Sequence, residues 1–358
     1  MPKNNKLEPV KLPMEQKWGK KPETKFMNNL ESIKVTLVNG PSMGDLMGYL
    51  PYFANATWAD RPMRGMTEVE KINAVYDVLH FKTLPTALET IGLTFAIEGI
   101  SLQEVTHIIR YRKASFSAEC SGDKWWTDKI ALIPNSIQNS NGPEDSYDAY
   151  FYSTGTQHHP DDFHARYRKI VEDAKQLYCD MIDSKKVSIM DARYILPRCL
   201  ETFYYMRMSL GDAIHFIRQR IDKQIQPETD NIIAYQMYEE ILKAYPLAYG
   251  LVNIHAPAQQ YINTARTGKG TNLYFPDEDS DKFEWNENDF IYQCRRNEMN
   301  GTDSDAKNLF DEFLAEHDRT IARLEEQGKE YHKSLLENAA SYDTDIDSEE
   351  FDSDWEDK

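Results

Sequence analysis

The run Arg110-Tyr111-Arg112-Lys113-Ala114-Ser115-Phe116-Ser117-Ala118-Glu119-Cys120-Ser121 discloses more about this chain than any other stretch. Two arginines flank one aromatic residue, and hydroxyl and thiol side chains follow at short intervals. A guanidinium forks onto a phosphate or carbonyl oxygen through parallel hydrogen bonds. Ser and Cys add short-range donors. On a loop, such a run is suited to holding a nucleotide. An Arg-x-Arg alone is most often a solvated face, so its neighbours decide.

Working outward from it, Ser101 is placed to cap a helix over 102–111, with Val105, Ile108 and Ile109 on one face. Before that helix, 88–98 reads as a strand. Thr67 and Glu70 make a capping-box pattern ahead of a helix over 68–80. Ile33 to Val38 alternates, is β-branched and ends at Asn39-Gly40, which predicts another strand. Residues 42–58 are apolar and aromatic without a clear period, and 1–32 read as an extended lead-in. Downstream, 133–160 is rich in Asn, Ser, Gly, Pro and Tyr and reads as a long loop. Asp161 and Asp162 open a helix to about 183. Ser188 caps a short helix that Pro197 interrupts. The spacing of Phe203, Met206, Leu210, Ile214 and Ile217 predicts one long helix over 199–223. Pro227 opens another, with Ile232, Ile233, Met237 and Ile241 inward. A polar segment over 265–302 precedes a charged helix over 304–338. The fold class is α+β.

The chain has 358 residues and is 41% hydrophobic, enough for a substantial core. No apolar run approaches the roughly 20 residues of a membrane span, and the first residues lack the apolar stretch of a signal peptide. The four cysteines, Cys120, Cys179, Cys199 and Cys294, form no Cys-x-x-Cys pair, which argues against a zinc site or a disulfide framework. A reducing, cytoplasmic setting fits. The net charge of −18 argues against non-specific nucleic-acid binding. Nine acids against one lysine in 341–358 contribute −8 of it. That tail is expected to be disordered, because like charges repel and little of it can be buried.

The run 110–121 resembles the signature of the flavin-dependent thymidylate synthases, Arg-His-Arg-x-x-Ser-x-Asn-x-x-Ser-x-Arg-Tyr. Arg110, Arg112 and Ser115 are in register. Tyr111 stands at the His, Ser117 at the Asn and Cys120 at the second Ser. The closing Arg-Tyr falls on Gly122-Asp123, or on Lys124-Trp125 if two residues are inserted. Ala192-Arg193-Tyr194-Ile195-Leu196-Pro197 is similar to the family's Ala-Arg-x-x-Leu-Pro element. An aromatic segment ending in Arg220, then Gln226 and Glu228, follows in family order. Thr86-Ala87-Leu88-Glu89 resembles the family's strand entry, and His107 stands where a glutamine is common. The resemblance covers roughly 33–250.

This resemblance implies a flavin-dependent thymidylate synthase-like fold, a small antiparallel sheet with several long helices. Residues 33–260 would form the catalytic domain, and 261–340 and the tail would be added to it as a helical extension. It implies transfer of a one-carbon unit from 5,10-methylenetetrahydrofolate to C5 of dUMP, giving dTMP, with FAD and NADPH. It also implies a homotetramer with sites between subunits. Arg220 would face the pyrimidine as the catalytic arginine. Arg193, Arg112, Cys120, Ser121, Lys124 and His107 would bind the nucleotide. Arg110, Tyr111, Ser115, Ser117, Ser209, His215 and Thr86 would contact FAD. Gln226 and Glu228 would be structural. Gly211 departs from a common FAD-contacting arginine. C5 modification of another pyrimidine deoxynucleotide, such as hydroxymethylation, and a non-catalytic nucleotide-binding relative are the alternatives.

Other constellations are less pointed. His158, His159 and His164 near Asp161 and Asp162 match no zinc spacing, and no metal is expected. Cys120 has no base nearby in sequence to make it a nucleophile. Trp125-Trp126 could stack on a ring or pack in the core. Gly268-Lys269-Gly270 lacks the glycines of a phosphate loop.

Overall fold

The computed structural model describes residues 23–58, 66–83, 86–122, 125–138, 163–221, 226–252, 254 and 309–346. In chain order the elements are β1 (Phe26–Asn28), β2 (Lys34–Asn39), α1 (Met43–Trp58), α2 (Glu68–Leu79), α3 (Thr86–Glu89), β3 (Gly92–Ser101), α4 (Leu102–Ile108), β4 (Ser115–Ala118) and β5 (Ala131–Ile133). There follow α5 (Asn135–Gln138), α6 (Phe163–Asp183), α7 (Ile189–Ala192), β6 (Glu201–Ser209), α8 (Leu210–Arg220), α9 (Glu228–Ala244) and α10 (Leu309–Ile346). Short 3-10 turns lie at Arg193–Ile195 and Pro246–Ala248. The class is α+β, as the sequence predicts.

Local chemistry sets the helix starts. Thr67 and Glu70 form a reciprocal capping box (Glu70 N to Thr67 Oγ1 3.2 Å, Thr67 N to Glu70 Oε2 3.0 Å). Ser101 and Glu104 repeat the device at α4. Each box satisfies amides that the first turn leaves without intrahelical partners.

The four-stranded sheet has the order β2-β3-β6-β4, and every pairing is antiparallel. β1 and β5 form a separate parallel pair. One sheet face carries Val35, Leu93, Phe95, Ile97, Tyr204, Met206 and Met208 into the main core. The opposite face carries Thr94, Tyr205 and Arg207, with Tyr205 45% exposed. Side chains alternate with period two, so each strand feeds both environments. A bulge between Glu98 and Ile100 bends β3, and Gly99 there adopts φ +68° with its Cα packed against the Ser32 carbonyl. No other residue fits that position without strain.

The two sheet edges are treated differently. The β2 edge is closed by side chains of α9. Val35 N donates to Gln236 Oε1 at 2.8 Å, Leu37 N donates to Glu240 Oε2 at 3.0 Å, and Gln236 Nε2 donates to the Ile33 carbonyl. The β4 edge is short and exposed, with Ser115 and Ser117 outward. Short edges are one way of limiting edge-to-edge pairing.

Several expectations are corrected. Residues 199–223 are not one helix. Residues 201–209 form β6 and only 210–220 are helical. Thr202, Tyr204, Met206 and Met208 alternate inward, and this competes with the four-residue spacing of Met206, Leu210 and Ile214. Cross-strand pairing with β3 and β4 makes the β-branched and aromatic stretch a strand. The strand placed at 88–98 begins at Gly92, after the helical turn Thr86–Glu89. Residues 43–58 are helical despite Pro51, because Leu46, Leu50 and Ala54 bury one stripe. The helix after Ser101 stops at Ile108.

The C-terminal helix is longer than expected and belongs to the core. Phe310, Leu314 and Ile321 of α10 are buried in the main cluster. Tyr238 donates to Glu325 Oε1 at 2.9 Å, and His317 Nδ1 lies 2.6 Å from Glu239 Oε1. The helix runs through 341–346, where the sequence predicts a disordered tail; 347–358 lie outside the described residues. Residues 1–22, 139–162 and the polar segment 265–302 lie outside them too. Among the described residues no helix is long and apolar enough to cross a membrane.

Candidate active site

Three helix ends meet at Arg220. It closes α8, is 9% exposed and sits over the Phe216 ring of its own helix at 5.5 Å. Its Nη1 donates to Asp230 Oδ2 at 2.9 Å and to Gln226 Oε1 at 2.8 Å, and lies 3.4 Å from His107 Nε2. Asp230 is in the first turn of α9, and His107 is in the last turn of α4. An acid at a helix N-terminus and a cation at a helix C-terminus each suit the local dipole. His107 Nδ1 is also 3.0 Å from Asp230 Oδ2. That distance suits an ion contact, but the alignment does not make a hydrogen bond, and Nδ1 is without such a partner among the described residues. The Tyr204 hydroxyl comes to the same region from β6. Burial foremost, and the Asp230 charge, push its phenol up, while Arg220 opposes them.

The signature run follows directly on α4. Arg110 and Arg112 are exposed, and neither side chain makes a hydrogen bond or ion pair with a described residue. Tyr111 points the other way. Its ring meets Phe216 edge-on at 5.2 Å, and its hydroxyl donates to the Asp212 carbonyl at 2.8 Å. Burial, with the Asp212 charge, raises its pKa. The residue expected to touch a flavin is thus a core residue tying the signature to α8. Lys113 reinforces that tie through Asp212 Oδ1 at 3.2 Å. Ser209 caps α8, accepting from Asp212 N and donating to Asp212 Oδ2 at 2.9 Å. His215 packs 6.2 Å from Tyr111 and pairs with Gln219 at 3.0 Å. Burial lowers its pKa, and Lys113 adds to this. Thr86 is exposed at the start of α3.

Ser115 and Ser117 stand on β4 opposite Arg207 and Tyr205. Beyond β4, Glu119 is gripped by Lys129 at 2.7 Å and Thr202 at 3.3 Å. Cys120 is exposed, its Sγ accepting from Gly122 N at 3.4 Å, and Ser121 is half-buried. The chain then meets Arg193. A side chain at Gly122 would begin 2.6 Å from Met190 Sδ and 3.0 Å from Arg193 Nη1. Arg193 is half-buried and steered by its Nε bond to the Met190 carbonyl at 3.1 Å. The structure therefore brings Arg193 to the end of the signature, and brings His107 and Tyr111 to α8. Lys124 lies outside the described residues.

Sequence reasoning missed Asp230, Asp212 and Lys113, and left Gln226 as structural. An acid three residues after a helix-opening proline signals ordinary dipole complementarity, so nothing marked Asp230 out. Trp126 is fully buried in a second cluster with Tyr178, Cys179 and Leu200, which assigns it to packing. Among the described residues no group of three or more His, Cys, Asp or Glu could hold a metal ion. His158 and His159 lie outside those residues, as do Cys294 and Gly268-Lys269-Gly270.

The family model described as "Thymidylate synthase complementing protein" matches residues 51–247. A flavin-dependent thymidylate synthase of Clostridium tetani is 25% identical over 181 residues, covering 49% of this chain and 69% of that protein. One of Pyrococcus furiosus is 26% identical over 160 residues, covering 44% of this chain and 57% of that protein. Among solved structures, the UMP/dUMP methylase PolB from Streptomyces cacaoi bound with 5-Br dUMP has a TM-score of 0.45 and 17% identity. It covers 63% of this chain and 94% of that one. Thymidylate synthase X from Helicobacter pylori with FAD and dUMP has a TM-score of 0.39 and 12% identity, covering 58% and 92%.

Proposed function

We propose, from the premise that this chain belongs to the thymidylate synthase complementing protein family, that it is an enzyme transferring a one-carbon unit to C5 of dUMP. The observation that carries the reading is the convergence of α4, α8 and α9 on the buried Arg220, with the arginine signature leaving the same end of α4. A preorganised guanidinium in a water-poor site stabilises negative charge developing on a pyrimidine ring oxygen, and it need not reorganise during reaction. Arg193 would hold the phosphate. Its Nε is spent on Met190, which orients the fork and leaves the terminal nitrogens for two oxygens. Cys120 and Ser121 lie on the turn that meets Arg193, and Arg112 and His107 flank it on the base side in this reading.

The donor set fits a flavin dinucleotide. Arg110 and Arg112 are exposed cations without a described acidic partner, and Ser115 and Ser117 add hydroxyls along the adjoining edge strand. Such a set suits a pyrophosphate and its neighbouring polar groups. FAD, reduced by NADPH, would supply the hydride, and methylenetetrahydrofolate the carbon. Ser209, His215 and Thr86 complete the proposed flavin contacts. A homotetramer whose sites are closed by a second copy belongs to this reading. A cytoplasmic setting belongs to the same reading.

Gly122 favours a second reading. The family signature has an arginine near this position, and here a side chain would have to displace the tips of Met190 and Arg193. Phosphate contact must therefore differ, which supports another pyrimidine nucleotide or another C5 product within the same fold. Incubating the enzyme with dUMP, UMP and dCMP in turn, and weighing the products, tests both. Turnover of dUMP to a methylated product supports the first reading; turnover restricted to another nucleotide supports the second.

A further inference from the structure

One carboxylate organises the meeting of the three helix ends. Asp230 is 1% exposed, and its Oδ2 serves both Arg220 Nη1 and His107 Nδ1. All hydrogen bonds of the Arg220 guanidinium to described residues run through Nη1. Arg220 Nε, Asp230 Oδ1 and the Tyr204 hydroxyl are buried and have no hydrogen-bond partner among those residues. Burying a charge pair is an inefficient way to gain stability, since an apolar pair of similar volume often does as well. The link between α8 and α9 does not require it either, because Asn231 Nδ2 already donates to the Arg220 carbonyl at 2.7 Å. A carboxylate that consumes Nη1 leaves the Nη2 end of the guanidinium for another group to meet.

We infer that Asp230 is a positioning residue: it fixes the Arg220 guanidinium through Nη1 and holds His107 beside it, so that the Nη2 end of Arg220 is kept for the nucleotide. This rests on the reading of Arg220 as facing the nucleotide. Arg220 is the group that touches the ligand, and Asp230 acts through it.

A double-mutant cycle on dUMP affinity tests the inference, using calorimetry on the full chain loaded with FAD. Asp230→Asn should weaken dUMP binding about tenfold in the wild-type background and by less than about twofold in an Arg220→Ala background, because its effect passes through the arginine. In turnover, Asp230→Asn should lower kcat more than it raises KM. Should Asp230→Asn fail to fold, Asp230→Glu keeps the buried charge, displaces the guanidinium and carries the same cycle. Equal weakening in both backgrounds, or no weakening at all, overturns the inference while leaving the nucleotide reading in place. A wild-type protein that binds no dUMP overturns the nucleotide reading and this inference with it.

Discussion

Replacing Arg220 by lysine and by alanine separates its structural role from its chemical one. Arg220→Ala removes the partner of a carboxylate that is 1% exposed, leaving Asp230 with His107 alone. Breaking a buried pair in this way costs about 3–5 kcal/mol. At roughly 2–4 °C per kcal/mol for a domain of this size, Tm should fall by about 6–20 °C. Loss of turnover in that variant would therefore say little about chemistry. Arg220→Lys keeps a cation against Asp230, so most of that stability is retained. It loses the planar fork and the Nε donor. Removal of one preorganised donor to a developing oxyanion costs about 10²–10³ in kcat, or roughly 3–4 kcal/mol of barrier. Thermal unfolding and product mass spectrometry on both variants are the assays. The expected result is Arg220→Lys with near-wild-type Tm and kcat reduced about 100-fold or more. Wild-type turnover in Arg220→Lys would refute the assigned role.

Gly122→Ala should raise the dUMP Kd several-fold with little change in Tm. The side chains it meets, Met190 and Arg193, are flexible at their tips and can shift, but Arg193 then leaves its place; isothermal titration decides, and an unchanged Kd removes Arg193 from the phosphate site. Gly328→Ala should destabilise by about 1–3 kcal/mol in urea unfolding, because its Cβ would be driven into the Pro246 carbonyl and the Tyr249 ring where α10 crosses the core. A wild-type midpoint would mean that α10 does not dock as described. His332 stacks on Tyr76 at 4.5 Å and pairs with the Tyr249 hydroxyl at 2.9 Å, and burial, then Lys82, holds its pKa below 6.5. The unfolded chain then binds a proton before the folded one does, so stability falls as pH drops below about 6.5. His332→Gln should flatten that part of the stability curve, and an unchanged acid limb would contradict the assignment.

Residues whose role is local were legible in the sequence. Thr67, Ser101 and Ser188 cap helices as their spacing predicts, and Ile232, Ile233, Met237 and Ile241 are buried in α9. Residues whose role is set by partners far along the chain were not. The stretch 201–209 satisfies a helical stripe and a strand alternation together, and only pairing with β3, over a hundred residues earlier, decides between them. The lack of a clear period concealed α1, and the charged sequence of α10 concealed the burial of Phe310 and Leu314 in the main core. At the site, the arginines were found through their motif, while Asp230 was invisible because its partners His107 and Arg220 come from other helices. Tyr111 shows the opposite: a motif position that the structure uses for packing.

The most direct test of the central claim is anaerobic turnover of the full chain with dUMP, FAD, NADPH and methylenetetrahydrofolate, with the nucleotide product weighed by mass spectrometry. Conversion of dUMP to a methylated nucleotide is the predicted result. Folded protein that binds FAD and dUMP yet returns the nucleotide at its original mass would contradict it.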